Sequence, residues 1–546
     1  MYGPRREFPG GVSARQSPNN RADGRRSIVH CDPTKPPASA QLKTPTYRGH
    51  CSLPSLPVPR EQVHNMQHSL KVLNDTVVSG GYCIGCGACA AVEPTAITIG
   101  MDSYGMLQAT VRDYSYETRE SRATAVCPFS SSSATEDIIA EEHFGGLPHH
   151  PRIGRYNNCY AGHVTRATFR SAGSSGGVGK WLLAELLRGS HVDAVVHVVA
   201  TERVKPTDPL YSYSIVTSSH DVIDGSKSVY YPVEMSKVLD VIRQTPRTYA
   251  ITGVPCFIKA IRLLSQEDIV FRNRIRFCIG IICGHLKSAS YADMLSWQLG
   301  IKPADLQAID FRAKFPGSKA NEKGVVAIGT DGGQLVNNRA TVQKLFGTNY
   351  GHGLFKYKAC DYCDDVIAET ADVAIGDAWL PQYIEDGRGT SIVVTRNQVI
   401  EQIFSDGQNR GDLSLDEISP DDVARSQDAG LRHRREGLSY RLHLTDARGQ
   451  WRPQKRVQAS SAVLTPRAKK VQQLRVKLAF MSHSLFLEAK RRNDFDFFRK
   501  KLHRSIVKHD HLSKSVWRQA FRHRLTNRLK KLVKWLRFSM HRPPTP

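Results

Sequence analysis

Residues 82–90 read Tyr-Cys-Ile-Gly-Cys-Gly-Ala-Cys-Ala, and Cys127 follows further along the chain. Cys83, Cys86 and Cys89 are separated by pairs of small or apolar residues, and such a run can wrap one corner of a cubic iron–sulfur cluster. Cys127 would supply the fourth ligand. Structural zinc sites more often use two separated cysteine pairs, so this spacing favours a 4Fe-4S cluster over a zinc knuckle.

Length and composition describe a multidomain protein. A chain of 546 residues corresponds to about two to four domains. The N-terminus lacks the apolar run of a secretion signal, and no run approaches the roughly eighteen apolar residues of a spanning helix. We therefore predict a cytoplasmic protein, in which clustered cysteines bind metal more often than they form disulfides.

The positive charge is concentrated at the C-terminus. Residues 466–546 contain 23 Lys and Arg against 4 Asp and Glu, which is +19 of the net +25. Trp517, Leu525 and Leu532 belong to an apolar stripe of helical spacing within this basic region. We expect the stripe to lie on an anionic membrane surface, at the inner face of the membrane, with an acidic partner protein as the alternative and nucleic acid disfavoured.

Four segments follow from these patterns. We predict a disordered leader over 1–72, a ferredoxin-like 4Fe-4S segment over 73–150, a catalytic body over 151–425 and a basic, largely helical extension over 426–546. Because every candidate site residue lies upstream, we expect truncation after about Ser460 to leave the cofactors in place.

The body opens with a Gly- and Ser-rich loop, 171–180, that runs into an apolar helix. Such a loop presents free N–H groups to a phosphate, although its glycines match neither nucleotide-binding fingerprint and a flexible turn is equally consistent. Predicted strands over 193–200, 248–252 and 274–282 alternate with helices. This alternation predicts an α/β fold with parallel strands.

A second group of cysteines follows these strands. Cys256 and Cys283 each come directly after a predicted strand, at the carboxyl edge where open α/β sheets bind ligands, and Cys360 and Cys363 form a CxxC pair. A second cluster, a zinc site or four buried small side chains would each explain them, and the complete set of four favours the cluster. The sequence contains four further cysteines, which we interpret as bystanders: Cys31, Cys51, Cys159 and Cys278.

The order of motifs resembles the coenzyme F420 hydrogenase/dehydrogenase beta-subunit family over about Asn74 to Arg396. The motifs that carry the resemblance are the Cys83–Cys89 run, Ser174-Ser-Gly-Gly177, Gly225-Ser-Lys227, Gly253-Val-Pro-Cys256, Cys283-Gly-His285, Phe311-Arg-Ala-Lys314, Cys360-x-x-Cys363 and Gly376-Asp-Ala-Trp379. Members are iron–sulfur flavoproteins, so the resemblance implies an α/β flavoprotein body with FAD between the clusters and the substrate.

The resemblance also implies roles for particular residues. Those expected to contact FAD are Ser174, Ser175, Gly176, Gly177, Gly225, Ser226 and Lys227. Lys227, His285 and Arg312 are expected to act at the flavin edge, where positive charge stabilises reduced flavin. A solvated surface lysine and a structural histidine are the simpler interpretations of the first two. Ser228 stands where the family commonly has an aromatic residue, which leaves the use of coenzyme F420 open.

Two functions remain in competition. One is an oxidoreductase that passes electrons between 4Fe-4S clusters and a hydride-exchanging FAD, linked to polysaccharide or lipid biosynthesis. The other is a non-catalytic electron-transfer subunit that feeds a separate enzyme. Either would need a donor or acceptor protein such as ferredoxin, and the first also needs a small-molecule substrate.

Overall fold

The computed structural model describes residues 69–112 and 121–514. The predicted leader, up to residue 68, and the apolar stripe beyond residue 514 lie outside these ranges. The strands are β1 Ile97–Met101, β2 Leu107–Val111, β3 His149–His150, β4 Gly154–Arg155, β5 Cys159–Val164, β6 Ala194–Ala200, β7 Tyr211–Val216, β8 Tyr249–Gly253, β9 Ile275–Ile281, β10 Leu306–Ala313, β11 Gly324–Asp331, β12 Gln334–Thr341, β13 Val373–Asp377, β14 Ser391–Thr395 and β15 Leu413–Glu417.

Helices separate most of these strands. The α-helices are α1 Leu70–Val72, α2 Ala88–Val92, α3 Glu136–Phe144, α4 Ala167–Ala172, α5 Val178–Arg188, α6 Ser236–Gln244, α7 Pro255–Glu267, α8 Ile269–Arg274, α9 Ser290–Gln298, α10 Pro381–Ile384, α11 Gln398–Asn409, α12 Pro420–Ser426, α13 Asp428–Arg434, α14 Glu436–Asp446, α15 Pro466–Arg492 and α16, residues 495–514. Single helical turns occur at Asp221–Asp224, Val342–Lys344, Tyr350–His352 and Lys358–Tyr362, and a π-helical segment at Leu73–Val78.

An eight-stranded sheet in the order β15-β5-β14-β13-β9-β8-β6-β7 forms the centre of the body. β6, β8, β9 and β13 run parallel, as the alternating pattern predicts, while the outer strands pair antiparallel. The fold class is therefore mixed α/β. Antiparallel edges arise because β7 and β14 each return beside the strand that precedes them in the chain.

Both faces of this sheet are buried, which explains its continuous apolar strands. Successive residues alternate between faces: Val196 and Ile251 lie in one apolar cluster, while Val195 and Ala250 lie in another. Helix α7 packs on the first face and α5 on the second. Each helix starts where a parallel strand or its loop ends, so the helix starts and the loops before them gather at the carboxyl edge.

The first cysteine run folds as a loop followed by α2 and the hairpin β1-β2. Gly87 has a φ of 90°, and a Cβ there would lie 2.6 Å from the backbone nitrogen of Ser236. Only glycine permits this conformation and this close approach. The backbone N–H of Met235 also donates to the carbonyl of Cys86 at 3.0 Å, so the loop is fixed against the start of α6.

The C-terminal helices α15 and α16 pack into the body. Phe486 and Phe498 are fully buried in an apolar cluster that includes Phe355 and Met294. His352 Nε2 hydrogen-bonds Asp510 Oδ1 of α16 at 2.7 Å. The predicted helical character of this region is confirmed, but the expectation that it could be removed without consequence is wrong, because its side chains complete a core.

No helix within the described ranges is long and apolar enough to cross a membrane.

Candidate functional site

Cys83, Cys86, Cys89 and Cys127 line the same small cavity; we call them the first cysteine set. The rest of its wall is mostly apolar and includes Tyr82. Backbone N–H groups point at a sulfur here: those of Gly85 and Ala109 donate to Cys83 Sγ at 3.4 and 3.3 Å. Such donors stabilise negative charge on sulfur.

Burial controls the ionisation of the first cysteine set. It raises the pKa of the Cys127 thiol to about 12, despite backbone donors that act in the opposite direction. Burial also raises the pKa of Cys89 well above its ordinary value, and the other three sulfurs raise it further. A bound cation would offset this cost, because metal ligation requires the thiolate form.

Cys256, Cys283, Cys360 and Cys363 form the second cysteine set, at the carboxyl edge of β8 and β9 as predicted. Burial raises the pKa of the Cys256 thiol well above its ordinary value, and the other three sulfurs of the set and Cys86 raise it further. The two sets are therefore electrostatic neighbours. The backbone N–H of Leu286 donates to Cys360 Sγ at 3.2 Å.

The sulfurs in each set are not drawn together as a zinc site requires. A tetrahedral zinc ion bound by thiolates at about 2.3 Å brings its sulfurs to roughly 3.8 Å from one another. Within the described ranges, the three ligand atoms found within 4.8 Å of one another belong to His352, His509 and Asp510. The looser spacing of both cysteine sets suits a group larger than a single ion.

Arg434, at the end of α13, lies against the second cysteine set and was missed from the sequence. Its NH1 donates to Cys363 Sγ and, at 2.8 Å, to the carbonyl of Asp365, while NH2 donates to the carbonyl of Gly284 at 2.5 Å. The side chain is 2% exposed. Burial opposes its charge, but the four sulfurs raise the pKa of Arg434 above its ordinary value.

Other basic residues downstream of 425 pair with the acidic segment that follows Cys360. Arg456 NH2 lies 2.8 Å from Glu369 Oε1, and Arg441 Nε lies 3.6 Å from Asp361 Oδ1. Asp361 also pairs with Lys356 at 2.5 Å. All of these groups except Arg456 are nearly inaccessible, and Arg456 is 10% exposed. Part of the extension therefore fixes the loop that carries the CxxC pair.

The Ser174–Gly177 loop is held by neighbouring strands. Ser174 Oγ accepts a hydrogen bond from the N–H of Ser228 at 2.5 Å, and Ser175 Oγ donates to the carbonyl of Thr390 at 2.5 Å. Gly176 donates its N–H to Ser391 Oγ at 3.1 Å, and a Cβ there would lie 2.5 Å from the carbonyl oxygen of Gly162. Close packing against strand backbone is thus one reason for glycine at this position.

Five cations lie around this loop: Lys180, Lys227, Arg312, Lys314 and Lys323; we call them the cation pocket. Lys314 Nζ donates to the carbonyl of Ser175 at 2.7 Å, and Arg312 NH2 to that of Ser174 at 3.4 Å. Burial, followed by repulsion from Lys323 and Lys227, lowers the pKa of Lys314 to about 7. Burial lowers the pKa of Lys323 and of Lys180 to about 8.

Two carboxylates offset part of this charge. Lys227 Nζ lies 2.7 Å from Asp310 Oδ2, and Arg312 NH2 lies 2.5 Å from Asp377 Oδ1. Lys227 is 22% exposed, so it is a paired and half-buried group rather than a solvated surface lysine. Lys314 and Lys323 form no ion pair within the described ranges. The pocket therefore keeps a positive excess that suits an anionic ligand.

The second turn expected to contact FAD lies beside the cation pocket. Lys180 Nζ donates to the carbonyl of Gly225 at 2.5 Å, and the N–H of Ser226 donates to the carbonyl of Val198 at 2.9 Å. Ser226 Oγ is buried and has no hydrogen-bond partner among the described residues. An unpaired buried hydroxyl next to lysines fits the edge of a ligand site.

His285, Tyr350 and Tyr230 connect the second cysteine set to the cation pocket; we call them the aromatic chain. The His285 and Tyr350 rings stack with centroids 3.9 Å apart, and Tyr350 lies 5.9 Å from Tyr230. Arg312 NH1 donates to the hydroxyl of Tyr230 at 3.2 Å. Burial, followed by Lys287, lowers the pKa of His285 well below its ordinary value, so this histidine is neutral.

Comparison with known proteins identifies the body. The N-terminal region of the coenzyme F420 hydrogenase/dehydrogenase beta subunit matches residues 159–240, and its C-terminal region matches 246–421. An uncharacterised protein of Methanocaldococcus jannaschii is 23% identical over 380 residues, 64% of this chain and 94% of that protein. The coenzyme F420 hydrogenase subunit beta of Methanococcus voltae is 24% identical over 220 residues, 38% of this chain and 67% of that protein.

A solved structure of the F420-reducing [NiFe] hydrogenase complex from Methanosarcina barkeri is also similar. The match has a TM-score of 0.41 and 17% identity, and it covers 58% of this chain and 100% of the other.

The fold and the family matches define an oxidoreductase-type subunit related to electron-transfer proteins. Within this class, the chain belongs to the coenzyme F420 hydrogenase/dehydrogenase beta-subunit family, as its motifs predict. Both regions of the family lie within residues 159–421, so the first cysteine set and Arg434 fall outside the matched ranges.

Proposed function

We propose that this chain is an iron–sulfur flavoprotein oxidoreductase. In this proposal each cysteine set holds one 4Fe-4S cluster, and the Ser174–Gly177 loop with the cation pocket binds FAD. The observation that carries the proposal is the aromatic chain, which joins the second cysteine set to the cation pocket through successive ring contacts and one hydrogen bond.

The residues present fit these groups. Each cysteine set is buried, includes a sulfur that accepts backbone N–H bonds and has a sulfur spacing wider than a zinc ion needs. The cation pocket holds five basic side chains against the two paired carboxylates Asp310 and Asp377, and the pyrophosphate of FAD carries the complementary charge. Ser226 Oγ supplies an unpaired polar atom at the same place.

A 4Fe-4S cluster exchanges one electron at a time, and FAD exchanges single electrons or a hydride. The chain's own residues have simpler tasks. Lys314 and Lys323 bind the anionic part of the ligand, while Arg312 is held in place by Asp377 and Tyr230 beside Ser174. His285 and Tyr350 exclude water between the two sites. Lys227 and Arg312 keep the roles at the flavin edge that the family resemblance implies.

The test is cofactor content after anaerobic purification. We expect about eight irons per chain, matching acid-labile sulfide, together with one FAD released on denaturation. Cys86→Ala should lose roughly half of the iron, because it removes one ligand of the first cysteine set. Cys159→Ala changes a buried cysteine outside both sets and should keep all of it. Stoichiometric zinc in place of iron would overturn the proposal.

The alternative function, a non-catalytic electron-transfer subunit, is favoured by the name of one relative, which is the beta subunit of a hydrogenase. The purified chain alone should exchange hydride with a small-molecule substrate if it is an enzyme. Reaction with one-electron dyes alone would favour the subunit. A ferredoxin-like protein partner, coenzyme F420, a link to polysaccharide or lipid biosynthesis, and attachment to an anionic membrane remain predictions.

A further inference from the structure

Arg434 carries a buried positive charge without a carboxylate partner among the described residues. Its hydrogen bonds go to Cys363 Sγ and to the backbone carbonyls of Cys283, Gly284 and Asp365. The nearby carboxylate of Asp365 instead accepts from the backbone N–H groups of Ile367 and Glu369 at 2.8 and 2.9 Å. The neighbouring arginines of α13 and α14 do have carboxylate partners: Arg432, Arg435 and Arg441.

An isolated guanidinium at this depth costs several kcal/mol, since dipolar carbonyls replace only part of its hydration. Four neutral thiols would add little compensation. Four thiolates around an iron–sulfur cluster leave a net negative charge on the whole group, which would offset the charge of Arg434. The position of Arg434 therefore makes electrostatic sense only if the second cysteine set is anionic.

We propose that Arg434 is the counter-ion of the group bound by the second cysteine set and raises its reduction potential. This inference rests on the proposed function, because it requires a redox-active cluster at that set. One added electron increases the negative charge beside the guanidinium, and the N–H bond to Cys363 Sγ strengthens as that charge grows. The first cysteine set has no equivalent: the hydrogen bonds to Cys83 Sγ come from neutral backbone.

The consequence for function is a direction of electron flow within the chain. A higher potential at the second cysteine set favours residence of an electron at the set that adjoins the aromatic chain and the cation pocket. Arg434 belongs to α13, beyond residues 246–421 that match the family's C-terminal region. The device is therefore supplied by this chain's own C-terminal region.

The experiment compares Arg434→Gln with Arg434→Lys in the anaerobically purified full chain. Redox titration followed by electron paramagnetic resonance should resolve two midpoint potentials. We expect Arg434→Gln to lower one of them by at least 59 mV, which is a tenfold change for a one-electron couple, and to leave the other unchanged. Arg434→Lys, which keeps the charge but loses the planar fork, should give a smaller decrease.

Arg432→Gln is the matched control, because it removes the same charge from the same helix but its guanidinium pairs with Asp428 at 3.1 Å. It should change neither potential. Loss of only the second set's iron in Arg434→Gln, with retention in Arg434→Lys, would also support a counter-ion role. Unchanged potentials at full iron content in Arg434→Gln, or unfolding of both Arg434 variants, would overturn it. If the wild-type protein itself lacks a second cluster, the proposed function fails instead.

Discussion

At the scale of single residues, the cation pocket shows how burial adjusts a lysine for ligand binding. Lys314 is held between the carbonyls of Arg170 and Ser175, at 2.5 and 2.7 Å, and faces Lys323, Lys227 and Arg312 without an ion-pair partner of its own in the described ranges. The result is a lysine whose pKa of about 7 makes its charge depend on pH near neutrality. An anion placed among these groups would stabilise the protonated forms.

We predict that Lys314→Met weakens FAD binding by roughly 10- to 100-fold, the range expected for one charge-assisted hydrogen bond. Because the pKa of Lys314 is about 7 and that of Lys323 about 8, both lose their charge as the pH rises from 6 to 9. Wild-type affinity should therefore fall over that range, and the fall should be shallower in Lys314→Met. Flavin fluorescence titration of the deflavinated protein measures both effects.

Lys319→Met provides the control for this prediction. Lys319 is exposed and lies 2.8 Å from Glu385, so it removes an equal charge outside the cation pocket. Its FAD affinity and pH dependence should match those of the wild type. Equal losses in the two variants would mean that overall charge, rather than the cation pocket, determines binding.

At the scale of secondary-structure elements, α15 and α16 act as part of the body. Phe486, Leu478 and Ala489 of α15 and Phe498 and Leu502 of α16 are fully buried. Ser482 Oγ accepts from the backbone N–H of Phe355 at 2.8 Å, a residue held at a positive φ of 58°. These helices therefore stabilise the segment that leads into the CxxC pair of the second cysteine set.

We predict that truncation after Ser460 yields an unstable protein, because it removes one side of this core. Phe486→Ala is the sharper test and should lower the free energy of unfolding by about 3–5 kcal/mol. Phe480→Ala, on the same helix but 75% exposed, should change it by less than about 0.5 kcal/mol. Denaturant unfolding followed by circular dichroism compares the two. Equal stabilities would show that α15 is not part of the cooperative unit.

At the scale of the whole molecule, two candidate sites are linked by side chains from separate parts of the chain. Tyr350 is central to this link, because its ring stacks on His285, lies near Tyr230 and donates its hydroxyl to the carbonyl of His285 at 2.9 Å. The first cysteine set lies beside the second through Cys86 and Cys256. The order of sites is thus first cysteine set, second cysteine set, aromatic chain, cation pocket.

We predict that Tyr350→Leu slows electron exchange between FAD and the clusters severalfold or more while leaving iron and flavin content unchanged. Leucine removes the packed ring between the two sites and leaves a gap that electrons cross less readily. Tyr350→Phe keeps the ring, loses only the bond to His285 and should behave like the wild type. Stopped-flow absorbance after photoreduction of the flavin measures the rate. Equal rates in all three proteins would show that the aromatic chain is not the route.

The sequence by itself determined the family, the class of fold, the parallel central strands and the two groups of four cysteines. Local patterns suffice for these features: cysteine spacing within one loop, alternation of strand and helix, and apolar runs buried on both faces of a sheet. The helical nature of residues 466–514 was equally readable, since helical periodicity is a local property.

Only the tertiary structure decided which charges are buried and what they face. Arg434 stands in the basic run Arg432-His433-Arg434-Arg435, where nothing in the sequence distinguishes it from its neighbours. Its position at the end of α13, inside the second cysteine set, depends on how that helix packs across the carboxyl edge of the sheet. The same reason applies to the cation pocket and the aromatic chain. Their members are far apart in the chain, and contacts between distant residues are fixed by packing rather than by local sequence.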